Sequence, residues 1–112
     1  MIEATCHCGA VRLEIERPPA SVTECTCSIC RRLGVRWAYY HPDQVKVVCE
    51  PDATAAYLWN ERCIAFHHCR VCGCTTHYDG VGGEPRRAVN ARLMAPADVD
   101  GIPVRVFDGA KL

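Results

Sequence analysis

No apolar run in this chain exceeds five residues; the longest is Ala55–Trp59, far short of the roughly 20 residues that span a bilayer as a helix. Net charge is missing as well. Thirteen basic and thirteen acidic side chains cancel, which removes the footprint of a general nucleic-acid or anionic-membrane binder. Low-complexity segments and internal repeats are absent, and a composition 49% hydrophobic and 23% charged excludes a disordered tail or a highly charged linker. Only Met1–Thr5 precede the first cysteine, too few residues for a signal peptide, so the expected compartment is cytoplasmic. A length of 112 residues makes residues 1–112 a single expected domain, because two halves would each be too small for a core.

Cysteine is in excess. Ten in 112 residues calls for either a disulfide framework or metal. A reducing compartment does not maintain disulfides, and the spacing favours metal. Cysteines fall as Cys6-x-Cys8, Cys25-x-Cys27-x-x-Cys30 and Cys69-x-x-Cys72, with Cys49, Cys63 and Cys74 outside the pattern. Close pairs around a turn reach the roughly 3.8 Å sulfur separation of a tetrahedral zinc with Zn–S near 2.3 Å. The seven divide as four plus three. Joining Cys6/Cys8 to Cys69/Cys72 closes a four-thiolate structural site across a long loop. Cys25/Cys27/Cys30 forms a compact cluster able to hold a second zinc with one open position; its plainer reading is another structural zinc whose fourth ligand comes from elsewhere. Gly9 and Gly73 follow Cys8 and Cys72, where a knuckle turn needs positive φ.

Short alternating segments separated by turn signals describe an all-β chain. Strands are expected at Ala10–Glu16, Ser21–Thr26, Arg36–His41, Gln44–Glu50, Thr54–Trp59, Arg62–His68, Thr75–Tyr78, Arg87–Met94 and Val104–Phe107. They suggest sheets packed face to face or a partly open barrel. Helical turns are expected at Ser28–Leu33, capped by Ser28, and at Pro96–Asp100. Turn chemistry marks Asn60-Glu61, and the run from Gly80 to Pro85 reads as a flexible loop.

Cys49, Cys63 and Cys74 are expected as buried thiols rather than ligands. His7 should point away from its flanking cysteines, and one of His67 and His68 should face inward. His41 and His77 are the histidines to test as fourth ligand or proton shuttle, although a structural role suits each better. Arg31 and Arg32, next to Cys30, read either as an anion clamp beside the open zinc or as a solvated helix face. Asn90 and Arg92 are placed on one strand face. Trp37, Tyr39, Tyr40, Tyr57 and Trp59 are expected in the core, with Tyr40 on the face opposite Tyr39.

Zinc with three thiolates carries a net −1, so it activates water less well than a three-imidazole zinc. It suits an incoming thiol better, because the thiol is deprotonated and held as a nucleophile. Addition of a small thiol to a carbonyl, or its reverse, is the natural chemistry. A methionine sulfoxide reductase would need a nucleophilic cysteine on a late strand, and no cysteine follows Cys74.

The segments Cys6-His-Cys-Gly-Ala-Val-Arg12, Cys25-Thr-Cys-Ser-Ile-Cys-Arg-Arg-Leu-Gly34, Cys69-Arg-Val-Cys-Gly-Cys-Thr-Thr-His77 and Val89-Asn-Ala-Arg-Leu93 resemble the glutathione-dependent formaldehyde-activating (GFA) family, also known as the centromere-protein-V type. The resemblance runs over nearly the whole chain. It implies a β-tent fold of small antiparallel sheets bridged by zinc, with a structural zinc on Cys6, Cys8, Cys69 and Cys72. It also implies a second, catalytic zinc on Cys25, Cys27 and Cys30, where glutathione and formaldehyde combine to S-hydroxymethylglutathione in a carbon–sulfur lyase reaction. The alternative reading is a non-catalytic, zinc-stabilised binding module.

Overall fold

Arg12-Leu-Glu-Ile15 shows in miniature how alternation builds this chain. In the computed structural model, which describes residues 1–59, 64–80 and 85–111, Leu13 and Ile15 are fully buried while Arg12 and Glu14 stay partly open. Chain order gives β1 (Ile2–Thr5), β2 (Arg12–Ile15), β3 (Val22–Cys25), α1 (Ser28–Leu33), β4 (Trp37–Tyr40), β5 (Val45–Val48) and β6 (Thr54–Trp59). It continues with β7 (Ile64–Cys69), β8 (Thr75–Gly80), β9 (Arg87–Asn90), α2 (Pro96–Val99) and β10 (Val104–Phe107). The all-β expectation holds.

The strands form a three-stranded sheet, β1-β2-β5, and a seven-stranded sheet, β10-β3-β4-β9-β8-β7-β6. Every pairing is antiparallel except β10 with β3, which runs parallel from Val104↔Val22 to Phe107↔Cys25. The two sheets face each other across a core in which Ala4, Leu13, Ile15 and Val45 meet Ala38, Tyr40 and Val89. Alternation along β4 then sends Trp37 to the other face of the large sheet. There it packs with Phe66, Tyr78, Ala88, Val35 and Cys30 under α1. Tyr40 and Tyr39 take opposite faces as expected, and Tyr40 is buried and donates its O–H to the Arg17 carbonyl at 2.9 Å, but Tyr39 is 41% exposed rather than in the core.

Several expectations are corrected. β1 was not anticipated, because four residues with only Ala4 pointing fully inward carry little periodic signal. The strand expected to reach Met94 stops at Asn90, whose side-chain oxygen accepts the Arg92 N–H at 3.2 Å and turns the chain into a 3₁₀ turn over Ala91–Leu93. Asn90 and Arg92 therefore do not share a strand face; Asn90 is buried and donates to the Thr75 carbonyl at 2.9 Å. Tyr57 is 55% exposed rather than packed inside, since β6 is the outermost strand. The turn at Asn60-Glu61, the strand start at Arg62, the role of Cys63 and the loop through 81–84 lie outside the described residues.

Leu13 is completely enclosed between the sheets. Leu13→Ala is expected to remove about 3 kcal/mol of stability through lost burial and the cavity left behind. Urea unfolding of the metal-loaded protein measures it; a loss under about 1 kcal/mol would contradict this packing.

Candidate metal centres and the adjoining cavity

Two tight turns carry the first sulfur group. Gly9 and Gly73 adopt φ of 83° and 81°, as the knuckle spacing predicts, and their N–H groups donate to the carbonyls of Cys6 (3.1 Å) and Cys69 (3.0 Å). The turns bring Cys6, Cys8, Cys69 and Cys72 together, with all four sulfurs within 4.8 Å of one another. Cys6 and Cys8 sulfurs are 3.7 Å apart, and those of Cys8 and Cys69 are 3.6 Å apart. These are the edges of a tetrahedron drawn at about 2.3 Å from its centre, the zinc–thiolate distance. Backbone N–H groups already favour thiolate: Val11 donates to Cys6 at 3.3 Å and Val71 to Cys69 at 3.4 Å. Amides of Cys74 and Cys8 hold the Cys72 thiol down to about 5. Cys49 and Cys74 pack partly buried beside this group without joining it. His7 is exposed, consistent with a side chain turned away.

Cys25, Cys27 and Cys30 form the second group, also within 4.8 Å of one another. Cys25 ends β3, Cys27 precedes α1, and Cys30 lies on its first turn. The expected Ser28 cap is corrected: Cys27 has the extended φ of −61° and ψ of 164°, and its sulfur accepts the Cys30 N–H at 3.4 Å. One residue thus caps the helix and belongs to the sulfur cluster. Burial pushes the Cys27 thiol up, but the amide and thiol of Cys30 outweigh it and hold it below its ordinary value. Burial pushes Cys30 up to about 12, although the Trp37 indole N–H donates to its sulfur at 3.4 Å. Within the described residues no His, Asp or Glu completes this trio.

A C-terminal strap lies against the cluster. The Thr26 N–H donates to the Phe107 carbonyl at 3.0 Å, the Thr26 hydroxyl donates to Asp108 at 2.7 Å, and the Ala110 N–H donates to that hydroxyl oxygen at 3.3 Å. Gly109 then passes so close that a Cβ there would stand 2.8 Å from the Cys25 sulfur. Only glycine fits this approach.

A cavity of about 600 Å³ is lined by all three cysteines. Its walls include Trp37, Trp59, Phe66 and Phe107, with Tyr39, Tyr78 and Arg86 also lining it. Arg31 and Arg32 do not line it; both are exposed on α1, and Arg32 donates back to the Ser28 carbonyl at 2.8 Å. Arg86 is the arginine sequence reasoning missed. Its guanidinium lies 4.5 Å from the Tyr39 ring centre, and one N–H₂ donates to the Tyr78 hydroxyl at 2.6 Å. Burial pushes the Tyr39 and Tyr78 phenols up, so both remain O–H donors near neutral pH.

Among the described residues, neither His77 nor His41 joins either sulfur group. His41 caps the Pro42–Gln44 turn, accepting the Asp43 N–H at 3.1 Å. His68 is exposed and His67 half-buried, so one faces inward as expected. His67 stacks on buried His77 at 4.4 Å with ring planes 6° apart, and both present Nε2 to Asp79 at 3.7 and 3.8 Å. Both rings face the same Asp79 oxygen, and Arg87 already pairs with that carboxylate, so this trio reads as a packed polar network. Arg87 holds Asp79 at 2.7 Å.

The sequence profile of the family described as glutathione-dependent formaldehyde-activating enzyme matches residues 1–100. The chain belongs to this family. Its strap and β10 lie beyond the matched stretch. A Halomonas elongata protein, named provisionally as a glutathione-dependent formaldehyde-activating enzyme, is 48% identical over 33 residues, covering 29% of this chain and 21% of its own length. The match thus spans about a fifth of that GFA relative. A Rhodobacter sphaeroides protein of known crystal structure aligns with a TM-score of 0.77 and 30% identity, covering 92% of this chain and 99% of its own.

Cys69→Ser is expected to leave the GFA chain unfolded, because a structural zinc contributes on the order of 10 kcal/mol to small folds; circular dichroism with zinc analysis checks it, and a folded, metal-poor variant would contradict the assignment. A second expectation concerns acid. Burial, then the His67 charge, lowers His77 to about 4 from 6.5, so the unfolded chain binds a proton that the folded one refuses between those values. Stability should fall as pH drops from about 6.5 to about 4, by up to about 3 kcal/mol, and His77→Gln should flatten that slope. An unchanged slope would contradict it.

Proposed function

We propose that this GFA-family chain is a zinc-dependent carbon–sulfur lyase-type enzyme that joins a small thiol to a small carbonyl compound or releases it again. The reaction resembles formation of S-hydroxymethylglutathione from glutathione and formaldehyde. The observation carrying this reading is the asymmetry of the two sulfur groups. Four sulfurs gather where the chain closes on itself, whereas three gather at the wall of a cavity. A closed set of four suits a structural ion, and an accessible set of three leaves a position for substrate.

Zinc held by Cys25, Cys27 and Cys30 would supply a Lewis-acid position at which a thiol gives up its proton and becomes a nucleophile. The chain's own residues do the rest. Trp37, Trp59, Phe66 and Phe107 line the cavity and exclude water that would compete for the carbonyl. Tyr39 and Tyr78, kept as phenols by burial, offer hydrogen bonds to a carbonyl oxygen as negative charge develops there. The balance is a simple addition. The sulfur–carbon bond forms, the C=O π bond breaks, and the thiol's proton ends on the former carbonyl oxygen with no change of oxidation state. The reverse releases both partners. Among the described residues no helix is long and apolar enough to cross a membrane.

Cys27→Ser is the direct test, since serine preserves the helix cap and removes one thiolate. The variant should keep the wild-type circular dichroism and lose affinity for small thiols, measured by calorimetry with 2-mercaptoethanol, at least tenfold. Unchanged affinity would contradict the proposal. Zinc exchange gives a second check: one labile, thiol-responsive ion is expected, and two inert ions would favour a zinc-stabilised binding module.

A further inference from the structure

The cavity beside the three-sulfur group has a charge inventory that narrows its ligand. Among the described residues lining it there is one cation, Arg86, and no aspartate, glutamate, lysine or histidine. Most of the remaining wall is aromatic or aliphatic. Arg86 is held at two points: its flat face lies 4.5 Å from the Tyr39 ring centre, and one N–H₂ donates to the Tyr78 hydroxyl at 2.6 Å. Stacking leaves the edge of a guanidinium open, and that edge matches a carboxylate through two parallel hydrogen bonds. Among the described residues Arg86 has no ion-pair partner.

We propose that this cavity selects a thiol, or its carbonyl adduct, that carries one carboxylate on an apolar or aromatic body, with Arg86 as the carboxylate anchor. The proposal rests on the function given above and names its substrate class. A tripeptide thiol such as glutathione brings two carboxylates, an ammonium group and two peptide units. Among the described lining residues its ammonium would find no acidic partner, and its peptide groups would face Trp37, Trp59, Phe66 and Phe107. Desolvating an unpaired polar or charged group is costly, so the fit favours the simpler acid. The wall that shapes this preference is partly outside the family's matched stretch. Phe107, Gly109 and Ala110 line the cavity, while the profile ends at residue 100. The strap is therefore an element with which this chain can differ in specificity from relatives sharing its sulfur groups.

The test uses the zinc-loaded full chain and the fluorescence of its two tryptophans, Trp37 and Trp59, both at the cavity wall. The probes are 2-benzyl-3-mercaptopropanoic acid, its methyl ester and glutathione. The acid should bind at least tenfold tighter than either of the others. Arg86→Gln should bring the acid to within about twofold of the ester and leave the ester unchanged. Arg86→Lys, which keeps the charge but not the fork, should fall between. Glutathione binding as tightly as the acid, or an acid-to-ester ratio unaltered in Arg86→Gln, would overturn the inference. Cobalt-substituted protein separates this from the function itself. If no thiol alters the cobalt–thiolate absorption, the lyase reading fails, while an Arg86-dependent preference for the acid still supports the pocket assignment.

Discussion

Convergence of four sulfurs from two distant knuckles is the constraint on which this small fold depends. Cys6 and Cys8 leave β1, whereas Cys69 ends β7 and Cys72 follows it, so their meeting ties the three-stranded sheet to the far side of the seven-stranded one. The packing around them is modest. Only Cys6, Val11 and Cys69 are buried in that cluster, with Val47, Cys49, Ala53, Cys72 and Cys74 alongside. A cluster so poor in large side chains contributes little by burial alone. A zinc ion held by these four sulfurs would be the stronger tie there, and N–H groups aimed at the sulfurs lower the cost of making thiolates before any ion arrives.

The second sulfur group shows how the same chemistry is turned outward. Cys25 and Cys27 flank Thr26, which the C-terminal strap grips through its backbone and its hydroxyl. Cys30 is anchored from beneath by the Trp37 indole. The sulfurs are thus positioned from a strand, a helix cap and a helix turn, with the cavity on their open side. Rigid support of this kind would suit the reacting centre proposed above, because small displacements of the bound atom are expensive in rate.

How much of this could be read from residues alone follows from the range of each interaction. Sulfur groups were legible because metal-ligand spacing is local: two or three residues and a tight turn set each pair, and Gly9 and Gly73 mark the turns. Most strands were legible for the same reason, since alternation is a property of neighbours. The cavity was not. Tyr39, Tyr78, Arg86 and Phe107 come from separate parts of the chain, and only the pairing of β4, β9, β8 and β10 within one sheet brings them together. Arg31 and Arg32 drew attention by adjacency to Cys30, yet a helix advances about 100° per residue. The positions after a buried cysteine therefore turn away from it. His67 and His77 meet through the register of β7 with β8, which no local pattern encodes.

X-ray absorption at the zinc edge, combined with metal stoichiometry on gently purified protein, tests the central claim most directly. The account predicts two zinc ions per chain and an average of about 3.5 sulfur neighbours, from one site with four and one with three, plus a light-atom shell at the second. Absence of bound metal together with intact disulfides among these cysteines would contradict it.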